Sequence, residues 1–381
     1  MRPTRRQILL APVMLAPALA WPQEAESRPL WPGARHSDRD RARAIQRGLR
    51  FIYRIATNPE HFAEHGDDLL WCFYSIAVTA ADPRLKALAG RMGRERARQW
   101  RRDHPRVPGD VEATAIVSMA SASYCADRLG VRNDRMKDEL QLAARRFQIA
   151  DFLKFDPTKE PIPRDVPKTC ERCKSDNARG TEVCRTCGAG LERADPYDVL
   201  CDALISTYFA DRYGVTLGAS FADVTQWIPR MRPYPAFASD KTDEYYSVAY
   251  AITHVVYTLN DYGAYRLRPE WLPQEFAFLT ANLRHNIELD DPETMGEFLD
   301  SLKSFGLTEA DPLIQAGVEF VLSEQNRDGS WGDPEETDIY TRYHSTWTAV
   351  DGLRDFAWRG EGVSFPEALR RVQREHPLIP G

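Results

Sequence analysis

The stretch Asp243-Glu244-Tyr245-Tyr246-Ser247-Val248-Ala249-Tyr250-Ala251-Ile252-Thr253-His254-Val255-Val256-Tyr257-Thr258-Leu259 decides the fold. It has helical length and no proline or glycine, and its apolar side chains fall on most sides. A helix apolar all round is stable only when neighbours cover all of it. Similar segments begin around Asp68 (LLWCFYSIAVTA), Asp110 (VEATAIVSMASASYCA), Asp198 (VLCDALISTYFA), Glu293 (TMGEFLDSL) and Asp338 (IYTRYHSTWTAVDGL). Between them run charged segments whose apolar residues recur at helical spacing, such as Ile45, Leu49, Ile52 and Ala56, or Met136, Leu140, Ala143 and Phe147. Phe276, Leu279, Leu283 and Ile287 repeat the pattern.

The starts of the apolar segments lie 42, 88, 45, 50 and 45 residues apart. A period in the forties marks helical hairpins. The long interval contains a Pro-rich, cysteine-bearing stretch, residues 157–191, whose removal restores the period. The sequence therefore predicts an all-α fold, an (α/α)6 toroid of six helical hairpins with an inner wall of apolar helices. An open solenoid is the alternative, but it would leave one face of each inner helix wet. The toroid spans residues 37–156 and 192–360, and a C-terminal helix and tail follow in 361–381.

The insertion holds Cys170-Glu171-Arg172-Cys173 and Cys184-Arg185-Thr186-Cys187. Two such knuckles place four thiolates around one ion, the pattern of a zinc ribbon. The residues between them are nearly all polar, so metal ligation must supply the folding energy of this piece. Structural Zn2+ on Cys170, Cys173, Cys184 and Cys187 is the expectation. Two disulfides or an iron site are the alternatives. Cys72, Cys125 and Cys201 sit in apolar segments and read as buried thiols.

At the N-terminus, Arg5-Arg6 precedes an uncharged run from Ile8 to Ala20, with small residues at Ala18 and Ala20. This resembles a twin-arginine export signal over residues 1–20, followed by a linker over 21–36. It implies a periplasmic or extracellular location. Cleavage would remove Arg2, Arg5 and Arg6 and take the formal charge from −6 to −9. So acidic a chain is expected to have no global attraction to DNA, RNA or anionic lipid and no nucleic-acid partner, and no later stretch is long and apolar enough to span a bilayer.

Gln325-Asn326-Arg327-Asp328-Gly329-Ser330-Trp331-Gly332 resembles the QW motif of squalene–hopene cyclases and other terpenoid cyclases. Tyr343-His344-Ser345-Thr346-Trp347, followed by Gly352-Leu353, is similar to a segment of protein prenyltransferase β-subunits in which the His ligates catalytic zinc. Both families are α/α toroids. The resemblance covers residues 313–357 and implies a central cavity for an apolar or extended ligand. It departs at two motifs. Tyr245 stands where the prenyltransferase zinc site has a cysteine, and the cyclase D-x-D-D survives only in part, around Asp110–Glu112 and Asp290–Asp291.

Three candidates for chemistry result: Asp243, His344 and Glu112. If inner-helix ends converge on a cavity, Asp243 and His344 are expected to meet at one rim. The plain alternative is that acids at helix starts are N-caps and that His344 and His254 are core residues. Trp71, Tyr250, Trp347 and neighbouring aromatics would line such a cavity. Three function classes are compatible with this reading: a terpenoid-cyclase-like or prenyltransferase-like protein with an apolar ligand, a non-catalytic toroid binding a protein or peptide through its ribbon, and an extracytoplasmic glycan-processing α/α barrel.

Overall fold

The computed structural model describes residues 35–374 of the 381-residue chain. The expected signal segment and nearly all of the linker lie outside the described residues. Among these the chain is helical, with isolated bridges in place of strands.

The helices follow in pairs. They are α1 (Asp38–Thr57) and α2 (Pro59–Thr79), then α3 (Pro83–Asp103) and α4 (Ala113–Arg128). The third pair is α5 (Asp134–Ala144), with a short α6 (Ile149–Leu153), and α7 (Pro196–Tyr213). The fourth is α8 (Phe221–Thr225) and α9 (Ile228–Met231) with α10 (Thr242–Asn260). Then come α11 (Pro273–Glu288) and α12 (Pro292–Ser304), α13 (Pro312–Ser323) and α14 (Ile339–Leu353), and finally α15 (Pro366–Val372). Many starts share one device. Asp82-Pro83, Asp195-Pro196, Asp291-Pro292 and Asp311-Pro312 each put a carboxylate at the N-cap and a proline at the first helical position. The carboxylate accepts from orphan amides, and the proline lacks the amide that would otherwise go unpaired.

The second member of each pair is the apolar one. In α12 every residue except Glu293 is buried. In chain order α2 packs on α4, α4 on α7, α7 on α10, α10 on α12 and α12 on α14, and α14 also touches α2. The order of contacts thus returns to its start. The amphipathic partners lie against these helices: α1 on α2 and α14, α3 on α2 and α4, α5 on α4, α11 and α13 on α12. The fourth partner is reduced to α8 and α9, and α15 packs beside α8. Thr225 donates to the Ala368 carbonyl there, at 3.4 Å.

The Gln325–Gly332 turn joins the first and last pairs. Trp331 is fully buried and donates its indole N–H to the Val321 carbonyl at 2.6 Å. Gln325 donates to the Ala44 carbonyl of α1 at 2.9 Å. Gly48 leaves room for the ring, since a Cβ there would stand 2.7 Å from Trp331 Cζ3.

Corrections to the predicted element starts are small. α2 begins at Pro59, well before Asp68, and bends at His65, whose φ of −119° and ψ of 19° leave the helical region. Of the acids expected at inner starts, Asp338 caps its helix. Asp198 and Asp243 stand in first turns, and Asp110 precedes its helix.

Candidate functional site

The first site is the cysteine segment between α6 and α7. Its two knuckles repeat one backbone pattern. The Cys170 carbonyl accepts from Lys174 N at 2.7 Å, and the Cys184 carbonyl from Gly188 N at 2.9 Å. The Cys170 N–H donates to Ser175 O, and the Cys184 N–H to Ala189 O. Lys174 and Gly188 take the left-handed conformation (φ 56° and 74°) that folds each turn back on its thiols. Cys170 Sγ lies 3.6 Å from Cys187 Sγ, and Cys173 Sγ 3.5 Å from Cys184 Sγ. All four sulfurs fall within 4.8 Å of one another, with no disulfide among them. A tetrahedron with metal–sulfur bonds of ~2.3 Å has edges of ~3.8 Å, so the four thiols could hold one metal ion. Ser175 Oγ sits 3.0 Å from Cys173 Sγ and 3.2 Å from Cys184 Sγ, and buried Asn177 reaches Cys184 Sγ at 3.6 Å.

The second site lies among the N-terminal ends of the apolar helices. One cavity of ≈ 490 Å³ is lined by Asp198 and Asp202 of α7, Tyr250 and His254 of α10, Glu293 of α12, and Tyr340 and His344 of α14. A narrower recess of ≈ 100 Å³ shares His254, Tyr340 and His344 and continues along the helices to Asp68, Glu297, Asp300 and Asp351. Trp71, Phe209, Tyr257, Tyr262 and Trp347 supply its aromatic wall. A depression of ≈ 430 Å³ also includes Asp198 and Asp202, with Lys154 at the end of α6, and reaches Lys168, Thr169 and Asp176 of the cysteine segment. The inserted segment thus lines a depression that shares Asp198 and Asp202 with the cavity.

The titratable groups are unlike one another. His344 Nδ1 lies 2.9 Å from Glu293 Oε1. Ser345 donates to the other Glu293 oxygen, and Tyr250 donates to Oε1 at 2.9 Å. Burial disfavours the His344 imidazolium, but the facing Glu293 carboxylate, with Glu297 and Asp68 beyond it, outweighs burial and raises its pKa to about 9. Burial likewise opposes ionisation of Glu293, and His344 with the three hydrogen bonds overcomes it, taking the pKa down to about 2. Glu297 has less help. Burial pushes it up to about 8, although Thr253 donates to it at 2.6 Å. Burial and neighbouring Asp67 raise Asp68 to about 6, where it accepts from Tyr343 at 2.8 Å. Burial and Asp198 do the same for Asp202. Burial holds His254 neutral, with a pKa of about 4.

The expected pairing of Asp243 with His344 is corrected here: Glu293 takes that place. Asp243 is exposed in the first turn of α10, and Glu112 is exposed at the start of α4; neither lines these two cavities. The physical reason is position along the helix, not phase. Asp243 lies seven residues, two turns, before Tyr250 and so on the same face, but in the exposed first turn of α10, whereas Glu293 is bonded to both Tyr250 and His344. Of the aromatic candidates, Trp71, Tyr250 and Trp347 line the cavities, while Phe73 and Tyr343 belong to the core. Sequence reasoning missed Glu297, Asp300 and Asp202 as site residues. Their signal is spacing: Glu293, Glu297 and Asp300 fall at i, i+4 and i+7, a single acidic face on an otherwise apolar helix.

Compared with family models, curated proteins and solved structures, the chain matches none.

Proposed function

We propose that the protein is an exported (α/α)6 toroid of the terpenoid cyclase and prenyltransferase superfamily, with a structural zinc ribbon inserted in its third hairpin. We propose further that its axial cavity processes a neutral or cationic glycan by acid–base catalysis. The cyclic order of helix contacts supports the toroid, and the sulfur spacing supports a tetrahedral zinc. The observation that carries the functional reading is the cavity wall, where aromatic faces and carboxylates of divided acidity converge.

Charge decides among the three function classes. A prenyl diphosphate would meet the carboxylates of Asp198, Asp202, Glu293 and Asp68, with His344 as the cation among the lining residues of the wider cavity and its recess. Such a site repels polyanions. Sugar rings suit it, because their C–H faces pack on aromatics while their hydroxyls hydrogen-bond to carboxylates. At neutral pH Glu297 holds a proton and Asp68 has mostly lost its own, the division of labour of an acid and a base. In hydrolysis Glu297 gives its proton to the leaving oxygen as the glycosidic C–O bond breaks. Asp68 takes a proton from the water that adds. The His344–Glu293 pair holds a fixed charge pair at the entrance.

The test is release of reducing ends from neutral and amino-sugar oligosaccharides. A bell-shaped pH profile with limbs near about 6 and about 8 is expected. Glu297→Gln should lower turnover by at least ~10²-fold with binding retained. If calorimetry shows no binding to any member of the panel, or if Glu297→Gln leaves turnover unchanged, the reading fails.

A further inference from the structure

The formal charge of −6 hides a strong asymmetry. Residues 35–146 carry 22 Arg and Lys against 15 Asp and Glu, whereas residues 147–381 carry 24 against 39. The basic excess is concentrated on the outside of two neighbouring helices. On α3, Arg84, Arg91, Arg94, Arg98 and Arg102 are all exposed and recur at steps of seven, three, four and four residues, one face of the helix along its whole length. Arg84, Arg91, Arg94 and Arg98 form no ion pair within 4 Å among the described residues. Of the exposed acids on that helix, Glu95 is engaged by Tyr53 and Arg96, and Asp103 by Gln99. On α1, Arg39, Arg43 and Arg50 are exposed, Arg43 standing 4.0 Å from Asp40, and the Tyr53–Glu95 bond sets α1 beside α3.

We infer that the α1–α3 face docks on an anionic phospholipid surface. Five like charges on one helix face repel one another, and an opposite charge outside the molecule relieves that repulsion. Arginine matches phosphate oxygens with a planar fork, which lysine does not. Two parallel helices of about 30 Å present a broad outer face, which a bilayer can meet along its length. Among the described residues α1 and α3 expose no large hydrophobic or aromatic residue on which single-stranded bases could stack. The same lack of exposed apolar residues makes the contact electrostatic and superficial, without insertion. The acidic remainder of the chain orients the molecule with this face toward the surface. This inference stands apart from the cavity and its chemistry.

The experiment is co-sedimentation with vesicles of phosphatidylcholine alone and with vesicles in which about a third of the lipid is phosphatidylglycerol, whose negative surface potential attracts basic faces. It uses the full chain and, because residues 1–20 lie outside the described fold, also the chain without them. Binding is expected to the anionic vesicles, to weaken steeply between about 50 and 200 mM salt, and to fall on the order of tenfold or more in Arg91→Glu/Arg94→Glu/Arg98→Glu. Unchanged circular dichroism certifies that variant. If it misfolds, Arg84→Gln/Arg98→Gln/Arg102→Gln replaces it. Equal binding to neutral vesicles, or binding indifferent to both variants, overturns the inference. So does a stripe-dependent affinity for duplex DNA that exceeds the vesicle affinity. Low-salt self-association abolished by the same variants would assign the face to a second copy and also overturn it.

Discussion

His344 and Glu293 stand against each other at 2.9 Å with little solvent around either. Each shift can be turned into a pH dependence of stability. The His344 pKa is raised from 6.5 to about 9, so its contribution is full below about 6.5 and is lost as pH rises through about 9. The Glu293 pKa is lowered from 4.5 to about 2, so its contribution is full above about 4.5 and is lost as pH falls through about 2. Glu297 is a carboxyl with a raised pKa. Its folded form prefers the proton, and it weakens the fold as pH climbs from 4.5 to about 8. Melting temperature measured across pH should therefore decline above about 4.5 and more steeply above about 6.5, and Glu297→Gln should remove the part of the decline that ends near 8. His344→Ala leaves Glu293 buried beside Ser345 and Tyr250 without a cation. A loss of about 3–5 kcal/mol is expected in denaturant unfolding, and a loss under 1 kcal/mol would show that water replaces the imidazole at little cost.

At the scale of elements, two close approaches hold the last helices in place. Gly352 of α14 faces Gly296 of α12, and a Cβ on Gly352 would lie 2.8 Å from the Gly296 Cα. Gly352→Ala must push two backbones apart, at a cost of about 1–3 kcal/mol or more. Trp331→Ala should cost about 3–5 kcal/mol, because it empties a fully buried site between α1 and α14. Equilibrium unfolding checks both, and near-wild-type midpoints would mean that these seams repack. The alternation of amphipathic and all-round apolar helices was legible in sequence, since burial on all sides leaves no polar face. The Asp-Pro starts were equally legible, each a cap with its first helical residue, but the acids named at the inner-helix starts were others, and Asp291 stood only in an incomplete D-x-D-D. Glu297 escaped notice because a lone acid in an apolar segment resembles a helix interruption until its four-residue step from Glu293 is counted. Which acid faces His344 could not be read at all. It depends on the phase between α12 and α14, which side-chain volumes along the seam decide. The placement of α15 beside the shortened α8 has the same cause: seven residues of amphipathic pattern do not name the surface that they cover.

For the whole molecule, the cysteine segment and the helical hairpins make separate predictions. Metal analysis of the purified protein should find one ion bound by four thiolates, and a strong chelator should release it. Zinc at one per chain is the expected result, and disulfides in its place would refute it. The bonds that join the first and last hairpins bear on how the chain reaches its fold. Arg47 of α1 donates to the carbonyls of Asn326 and Arg327, Tyr343 to Asp68, and the Glu319 carboxylate accepts from the His36 backbone, across 275 to 283 residues of sequence. Contacts so distant cannot form while the chain is still short. The first hairpin thus emerges with one flank bare, and its apolar wall stays uncovered until almost the last helix has been made. A chain stopped at residue 311 should expose that flank, bind hydrophobic dyes and aggregate, whereas an open stack of the same hairpins would tolerate the loss of one end. The last fifth of the polypeptide acts as a latch on the first, and the protein spends its synthesis waiting for it.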